Sequence, residues 1–158
     1  VLSHHAPDYV PYSFLQRGSD ERQYCSPGID LPVVSVMRTK YGNYPEYHTS
    51  LDNLSLISPA GLMGAFEANQ RCLQALEDNR LWRATVACEP QMGKRGLRPT
   101  LGTKNYQDRV RKMMDFLIYA DGVTDLIQIA ETIKVPIWDL TDIVDELCAA
   151  HLLEDVEA

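Results

Sequence analysis

The segment RVRKMMDFLIYADGVTDLIQIAETIKVPIWDLTDIVDEL, residues 109–147, decides the architecture of the C-terminal part of the chain. Apolar residues recur in it at spacings of three and four, which is typical of helices that bury one face. A first helix ends near Asp121-Gly122, Thr124 caps a second that breaks at Val135-Pro136, and a third follows. The pattern predicts a winged helix-turn-helix arrangement whose hairpin begins at HLLE, residues 151–154. The predicted buried positions are Val110, Met113, Met114, Leu117 and Ile118; Leu126, Ile127, Ala130 and Ile133; and Leu140, Ile143, Val144 and Leu147.

Charge divides the chain near Lys104. The net charge is −7, yet residues 105–158 hold four basic and twelve acidic side chains, so the first 104 residues are close to neutral. Such an abrupt change in composition is typical of a domain boundary. We therefore predict two domains, residues 1–104 and an acidic winged-helix-like domain of residues 105–158.

The third predicted helix has the wrong charge for a DNA-reading helix. Its exposed positions are Asp139, Asp142, Asp145 and Glu146, and no Lys or Arg occurs between Val135 and Ala158. Contacts with phosphate supply most of the non-specific affinity for DNA, so this surface would repel a duplex. The sequence predicts that the helical module contacts a protein partner or a second copy of the chain rather than nucleic acid.

The composition is that of a soluble globular protein, with 45% hydrophobic and 23% charged residues. No apolar run is long enough to span a bilayer, so no membrane association is expected. The four cysteines form no C-x-x-C pair, which favours free thiols and a cytoplasmic location. The start VLSHHAPDYVPY has neither an initiator Met nor a signal-peptide pattern, which indicates a piece of a longer protein.

The first hundred residues contain fewer regular elements. The segment DLPVVSVMRT, Asp30–Thr39, is β-branched and bounded by Pro and Gly, which predicts a buried strand. Ser58-Pro59 predicts the start of a helix that continues to about Asn79 and packs through one apolar stripe. Residues 80–88 could form a second strand, and residues 89–102 are a loop or linker. The stripe consists of Leu62, Met63, Phe66, Leu73 and Leu76.

Two short motifs flank the predicted strand. RGSDERQYCSPGIDLP begins at Arg17 and precedes it, and YPEYHTSLDN begins at Tyr44 and follows it. Their order is G-S-D, then G-I, a buried strand, and H-T-x-x-D before a helix. This order resembles the C-terminal part of the di-zinc aminopeptidase fold, shared by bacterial aminopeptidases and glutaminyl cyclases. The longer stretch, from RGSDERQYCSPGIDLP through YGNYPEYHTSLDNL to EPQMGKRGL, is similar to bacterial aminopeptidase-like proteins associated with surface polysaccharide genes, which carry an appended winged helix.

The resemblance implies a fold and a set of site residues. The fold would be α/β, the C-terminal part of a zinc-aminopeptidase-like (phosphorylase/hydrolase-like) domain. His48 would be the last zinc ligand, and Tyr47 would donate a hydrogen bond to the tetrahedral intermediate. Asp20 matches a carboxylate behind the ligands or beside the substrate, and Asp52 would steady the loop or orient the imidazole. Glu21 departs from the family pattern, because a histidine usually follows that aspartate.

The implied activity is attack of metal-activated water on an amide or peptide bond. A catalytic zinc usually has about three protein ligands and a water, and His48 alone cannot provide them. The resemblance places the other ligands before Val1, in the N-terminal part of the same domain. This fragment alone is therefore expected to be inactive and to bind zinc weakly or not at all.

Alternatives remain open from the residues themselves. A lone histidine in a Tyr- and Pro-rich loop is more often a loop residue than a metal ligand. Asp20 and Glu21 could simply cap a turn. The alternative function is that of a non-catalytic binding or assembly protein, with a degenerate metal site and a helical module that binds protein.

Overall fold

The computed structural model describes residues 1–97 and 104–156, and the chain divides into two compact units, Val1–Cys72 and Leu73–Ala158. The division lies upstream of the boundary predicted at Lys104. Strand pairing explains the difference, because a strand at residues 81–84 belongs to the same sheet as strands after Lys104. Part of the predicted linker, residues 98–102, lies outside the described residues.

The second unit is built on a three-stranded antiparallel sheet with three helices. Strand β1 (Leu81–Ala84) lies between β2 (Asp121–Asp125) and β3 (Leu153–Asp155). In the register, Leu81 is opposite Asp125 and Trp82 is opposite Asp155. The helices are α4 (Lys104–Tyr119), α5 (Leu126–Ile133) and α6 (Thr141–Ala149), with a 3₁₀ turn at Ile137–Asp139 before α6. The predicted second strand therefore exists, but it pairs within the helical domain.

The helical period predicted most of the core of this unit. Leu140, Ile143, Val144 and Leu147 are all buried, as their spacing on the third helix predicts. Ile118 is 60% exposed, whereas Phe116 and Ile129 are fully buried although the predicted stripes omit them. Phe116 and Ile129 lie three residues after the buried Met113 and Leu126, so they belong to the same buried helical faces.

The start of α5 differs from the prediction in its cap. Thr124 lies in β2, and the Asp125 carboxylate accepts a hydrogen bond from the Gln128 N–H (2.8 Å), so Asp125 is the N-cap. The backbone N–H groups of Thr124 and Val123 donate to Asp121 and hold the pKa of that carboxyl below its usual value. The helix ends at Ile133, and the C-cap residue Lys134 has a left-handed backbone with φ of 58°. A tight turn then leads toward α6.

The first unit contains little regular structure. Helices α1 (Leu2–His5) and α2 (Asp20–Tyr24) are short, and a 3₁₀ turn covers Phe14–Gln16. Helix α3 (Pro59–Glu77) begins in this unit, and the Gly61 N–H donates to Ser58 Oγ (3.1 Å), which confirms Ser58 as the cap. None of the described helices is long and apolar enough to cross a membrane.

The predicted buried strand at residues 30–39 is wrong. The segment has no ladder partner among the described residues, and Val34 is 73% exposed. β-Branched residues favour extended backbone, but a strand forms only where a neighbouring strand accepts its hydrogen bonds. The α/β arrangement predicted for residues 1–104 is therefore not present in the described part of the first unit.

The apolar stripe of α3 is also not buried. Its five large members are each at least half exposed, whereas the small residues Ala68 and Ala75 are buried. A contiguous apolar face of this kind is uncommon on a complete globular protein. The helix itself follows the sequence prediction, but the expected packing of its stripe on the strand is wrong. The exposed members are Leu62, Met63, Phe66, Leu73 and Leu76.

Two matched substitutions test the second core. Ile129→Ala is expected to lower the free energy of unfolding by about 2–5 kcal/mol, because it leaves a cavity in place of a fully buried side chain. Ile118→Ala should change it by no more than about 0.5 kcal/mol. Urea unfolding followed by tryptophan fluorescence reports this unit, since both tryptophans, Trp82 and Trp138, lie in it. Equal losses for the two variants would contradict this core.

Candidate functional site

His48 is exposed in the loop between α2 and α3, and its backbone is left-handed, with φ of 59°. Histidine is among the few non-glycine residues that adopt this conformation with some frequency. The imidazole stacks on the neighbouring ring of Tyr47, with centroids 4.0 Å apart and planes 17° from parallel. The stack limits the orientations of an imidazole that is otherwise open to solvent.

Two further tyrosines, Tyr41 and Tyr44, lie beside this stack. The Tyr47 ring lies 5.7 Å from Tyr44 in an edge-on arrangement and 6.1 Å from Tyr41. Aromatic pairs at such separations prefer offset or edge-to-face geometry and stabilise one another. The loop around His48 is thus held by rings rather than by regular secondary structure.

Asp20 and Glu21 begin helix α2, but they have different environments. Asp20 is exposed, whereas Glu21 is 5% exposed and is the one buried charged residue of the described chain. The Tyr41 hydroxyl donates to Glu21 Oε1 (3.2 Å) and accepts from the Gly18 N–H (2.5 Å). A buried carboxylate requires such a donor, because removing its charge from water is otherwise costly. The same tyrosine thus joins the G-S-D-E motif to the loop that carries His48.

The predicted site residues are therefore brought together only in part. Tyr47 and His48 are in contact, and Tyr41 connects their stack with Glu21. Within the described residues, no hydrogen bond or ion pair joins Asp52 to His48, so the orienting role of Asp52 stays a prediction. Sequence reasoning missed Tyr41, whose bond to Glu21 spans twenty residues of chain.

No metal centre can be assembled from the described residues alone. Across residues 1–97 and 104–156, no three His, Cys, Asp or Glu side chains are grouped closely enough to hold an ion. Imidazole and carboxylate are nevertheless the ligand types that zinc accepts. His48 is the exposed imidazole of this loop, so it offers one ligand at most.

Comparison with known proteins defines the class of each part. Residues 80–155 match the model for a winged helix-turn-helix, which agrees with the helices and small sheet of the second unit. The fold is similar to a crystal structure of a "putative peptidase" from Clostridium acetobutylicum, with a TM-score of 0.77 and 35% identity over 89% of this chain.

The chain belongs to the family described as "Domain of unknown function (DUF4910)", whose model matches residues 1–79. It is 40% identical over 132 residues to a Clostridium acetobutylicum protein named "Putative polysaccharide biosynthesis protein with aminopeptidase-like domain". That match includes 82% of this chain and 30% of the relative, and the similar crystal structure is likewise covered over 30% of its length. The expected resemblance to aminopeptidase-like proteins with a winged helix is confirmed at this level.

The bridge made by Tyr41 can be tested through one amide. Tyr41→Phe removes the acceptor of the Gly18 N–H, a hydrogen bond of about 1 kcal/mol, so hydrogen exchange of the Gly18 amide should accelerate by about fivefold. Tyr47→Phe is the matched control, because its hydroxyl makes no hydrogen bond within the described residues and its ring remains. Amide exchange measured by NMR distinguishes the two variants. An unchanged Gly18 rate in Tyr41→Phe would show that the bridge is not formed.

Proposed function

We propose that this chain is part of an aminopeptidase-like hydrolase that acts on a peptide-like or amide substrate. The observation that carries the proposal is the similarity, over 89% of the chain and at 35% identity, to the protein solved as a "putative peptidase". The aminopeptidase-like name of the curated relative supports the same reaction class. The relative's name also connects the family with polysaccharide synthesis, which favours an amide in a cell-surface precursor as substrate.

Zinc is the cofactor that the resemblance implies for such a hydrolase. The described residues do not fit a zinc ion by themselves, because they contain no group of three ligands. We therefore assign one ligand to this chain, His48, and derive no chemical step from the metal. We also propose that the chain alone holds zinc weakly or not at all and is inactive.

The remaining site residues receive roles that their environments support. The Tyr47 hydroxyl makes no hydrogen bond within the described residues, so it can donate to an oxyanion that develops near His48. Exposed Asp20 can face a substrate, whereas buried Glu21 holds the loop through Tyr41. Asp52 is proposed to steady the His48 loop, in which its N–H donates to the Thr49 carbonyl (3.1 Å).

The exposed apolar stripe of α3 supports a partner for the first unit. We assign that partner to the segments of an aminopeptidase-like domain that the match does not cover, since the chain corresponds to 30% of each relative. Burial of Leu62, Met63 and Phe66 would contribute about 1.5–3 kcal/mol each. Packing of such a segment against α3 would bury the large apolar side chains that the first unit leaves exposed.

The thiols support a reducing compartment. All four cysteines are free, and burial raises the pKa of the Cys148 thiol, with the charges of Asp145 and Asp155 acting in the same direction. A raised pKa leaves less thiolate for oxidation. We therefore propose a cytoplasmic location.

A matched pair of histidine substitutions tests the site. In the gene product that carries this sequence, His48→Asn should lower hydrolysis of an aminoacyl-p-nitroanilide by about 10²-fold and reduce bound zinc. His151→Asn is the control, because both histidines are exposed with left-handed backbones, and asparagine tolerates that conformation. Full activity and zinc content in His48→Asn would remove this residue from the site.

A second function is favoured for the winged-helix unit, namely protein binding rather than DNA binding. The exposed side chains of α6 include Asp142, Asp145 and Glu146. Two cations of α4 form ion pairs with acidic residues in or just before α6. Arg109 pairs with Glu146 and Lys112 pairs with Asp139, each at 2.7 Å. The unit can therefore join a protein partner or a second copy, a role that also suits a non-catalytic assembly protein with a degenerate metal site.

An electrophoretic mobility-shift assay tests this assignment. The whole chain should not shift duplex DNA at low salt, because helix α6 presents carboxylates toward the solvent. The double variant Asp142→Lys and Asp145→Lys serves as the comparison and should gain weak, salt-sensitive binding. A salt-sensitive shift by the unsubstituted chain would favour a DNA-binding role instead.

A further inference from the structure

A cleft of about 740 Å³ lies within the first unit, and its lining shares only Glu21 with the proposed hydrolytic residues. Its volume is within the range of small-molecule sites, about 300–1,000 Å³. Both aromatic rings and charged groups line it. The side chains that matter for its chemistry are Tyr12, Arg17, Glu21, Arg38, Lys40 and Tyr41.

Three cations line this cleft without a carboxylate partner. No ion pair within the described residues involves Arg17, Arg38 or Lys40, although the pairs of the second unit engage five other cations. Two carboxylates, Asp8 and Glu21, also line the cleft, so positive charge exceeds negative charge by one. Glu21 is buried and accepts a hydrogen bond from Tyr41, and no ion pair within the described residues joins it to these cations.

Lys40 is held in place by its neighbours. Its Nζ lies 4.3 Å from the Tyr41 ring centroid and 5.6 Å from that of Tyr12, and it donates to the Tyr41 carbonyl (3.3 Å). Cation–π contacts of this length restrict an ammonium without neutralising its charge. The group therefore remains able to pair with an anion while losing little freedom on binding.

Arg38 is placed by a glycine on α3. A Cβ built on Gly64 would lie 2.7 Å from Arg38 Nη1, so the guanidinium occupies the space that only glycine leaves. Glycine within a helix is less favourable than alanine. Gly64 thus weakens the helix but leaves room for the Arg38 guanidinium beside the cleft. This observation is independent of the charge count.

We propose that this cleft binds the carboxylate of a small ligand, either an acidic peptide or an acidic sugar. A guanidinium binds a carboxylate through two parallel hydrogen bonds, and an adjacent ammonium adds a third donor. The tyrosine rings supply an apolar face for the rest of the ligand. The proposal does not depend on hydrolysis, because binding is measured without turnover.

Isothermal titration calorimetry on the 158-residue chain distinguishes the two sources. The peptide arm compares the C-terminal amides of alanyl-glutamate and alanyl-glutamine, so that only the first carries a carboxylate, and the sugar arm compares glucuronate with glucose. Preference for the charged member of either pair supports the cleft and identifies the source. Equal binding within both pairs, or no binding of any probe, would refute the proposal.

Three variants localise the binding. Arg38→Gln and Lys40→Gln should each weaken binding of the preferred probe by about tenfold, because each removes one charged donor. Gly64→Ala should weaken it similarly while the far-ultraviolet circular dichroism stays native, since its Cβ displaces only the end of Arg38. Arg111→Gln removes the same charge outside the cleft and should leave binding unchanged. Equal weakening in Arg111→Gln and Arg38→Gln would indicate a general charge effect and overturn the assignment.

Discussion

The first unit depends on the Tyr41 hydroxyl, which binds the Gly18 N–H and the buried Glu21 carboxylate together. No ion pair of the described chain reaches Glu21, and the hydrogen bond from this hydroxyl offsets part of the cost of burying the carboxylate. Because the Tyr41 ring also lies near Tyr47, the carboxylate, the tyrosines and His48 form one connected arrangement. Its parts come from a short helix and an irregular loop, neither of which would hold a side chain precisely alone.

The two units satisfy the hydrophobic effect to different degrees. In the second, helices and sheet enclose fully buried residues such as Phe116, Ile129 and Leu147. In the first, large apolar side chains including Leu54 and Val34 remain mostly exposed, and the α3 stripe is exposed as well. Aromatic contacts and hydrogen bonds within loops therefore carry much of the order in the first unit. That contrast is the physical basis of the proposal that a further part of the same domain covers this apolar surface.

Sequence patterns predicted the elements whose information is local. The period of the third predicted helix identified the three buried residues of α6 and the buried Leu140 just before it, and Ser58-Pro59 located the start of α3. Strand β2 was missed because DGVTD is polar and contains glycine. It becomes a strand only by pairing with β1, which lies about forty residues earlier in the chain. The segment at residues 30–39 failed for the opposite reason, since its composition favours a strand but no partner strand is described beside it.

The same distinction applies to the candidate site. His48 and Tyr47 are neighbours in sequence, so a motif can identify both, whereas the bond from Tyr41 to Glu21 depends on the fold. The cleft could not be predicted from the sequence, because its cations lie on segments with no distinctive motif. Their positions depend on contacts with Gly64 and the tyrosines, which form only in the folded chain. Motifs in this chain thus indicate which chemistry to expect, and the side chains that orient it are visible only in three dimensions. A substrate-binding surface assembled from such loops can change its specificity while the short motifs stay the same, because different residues carry the two functions.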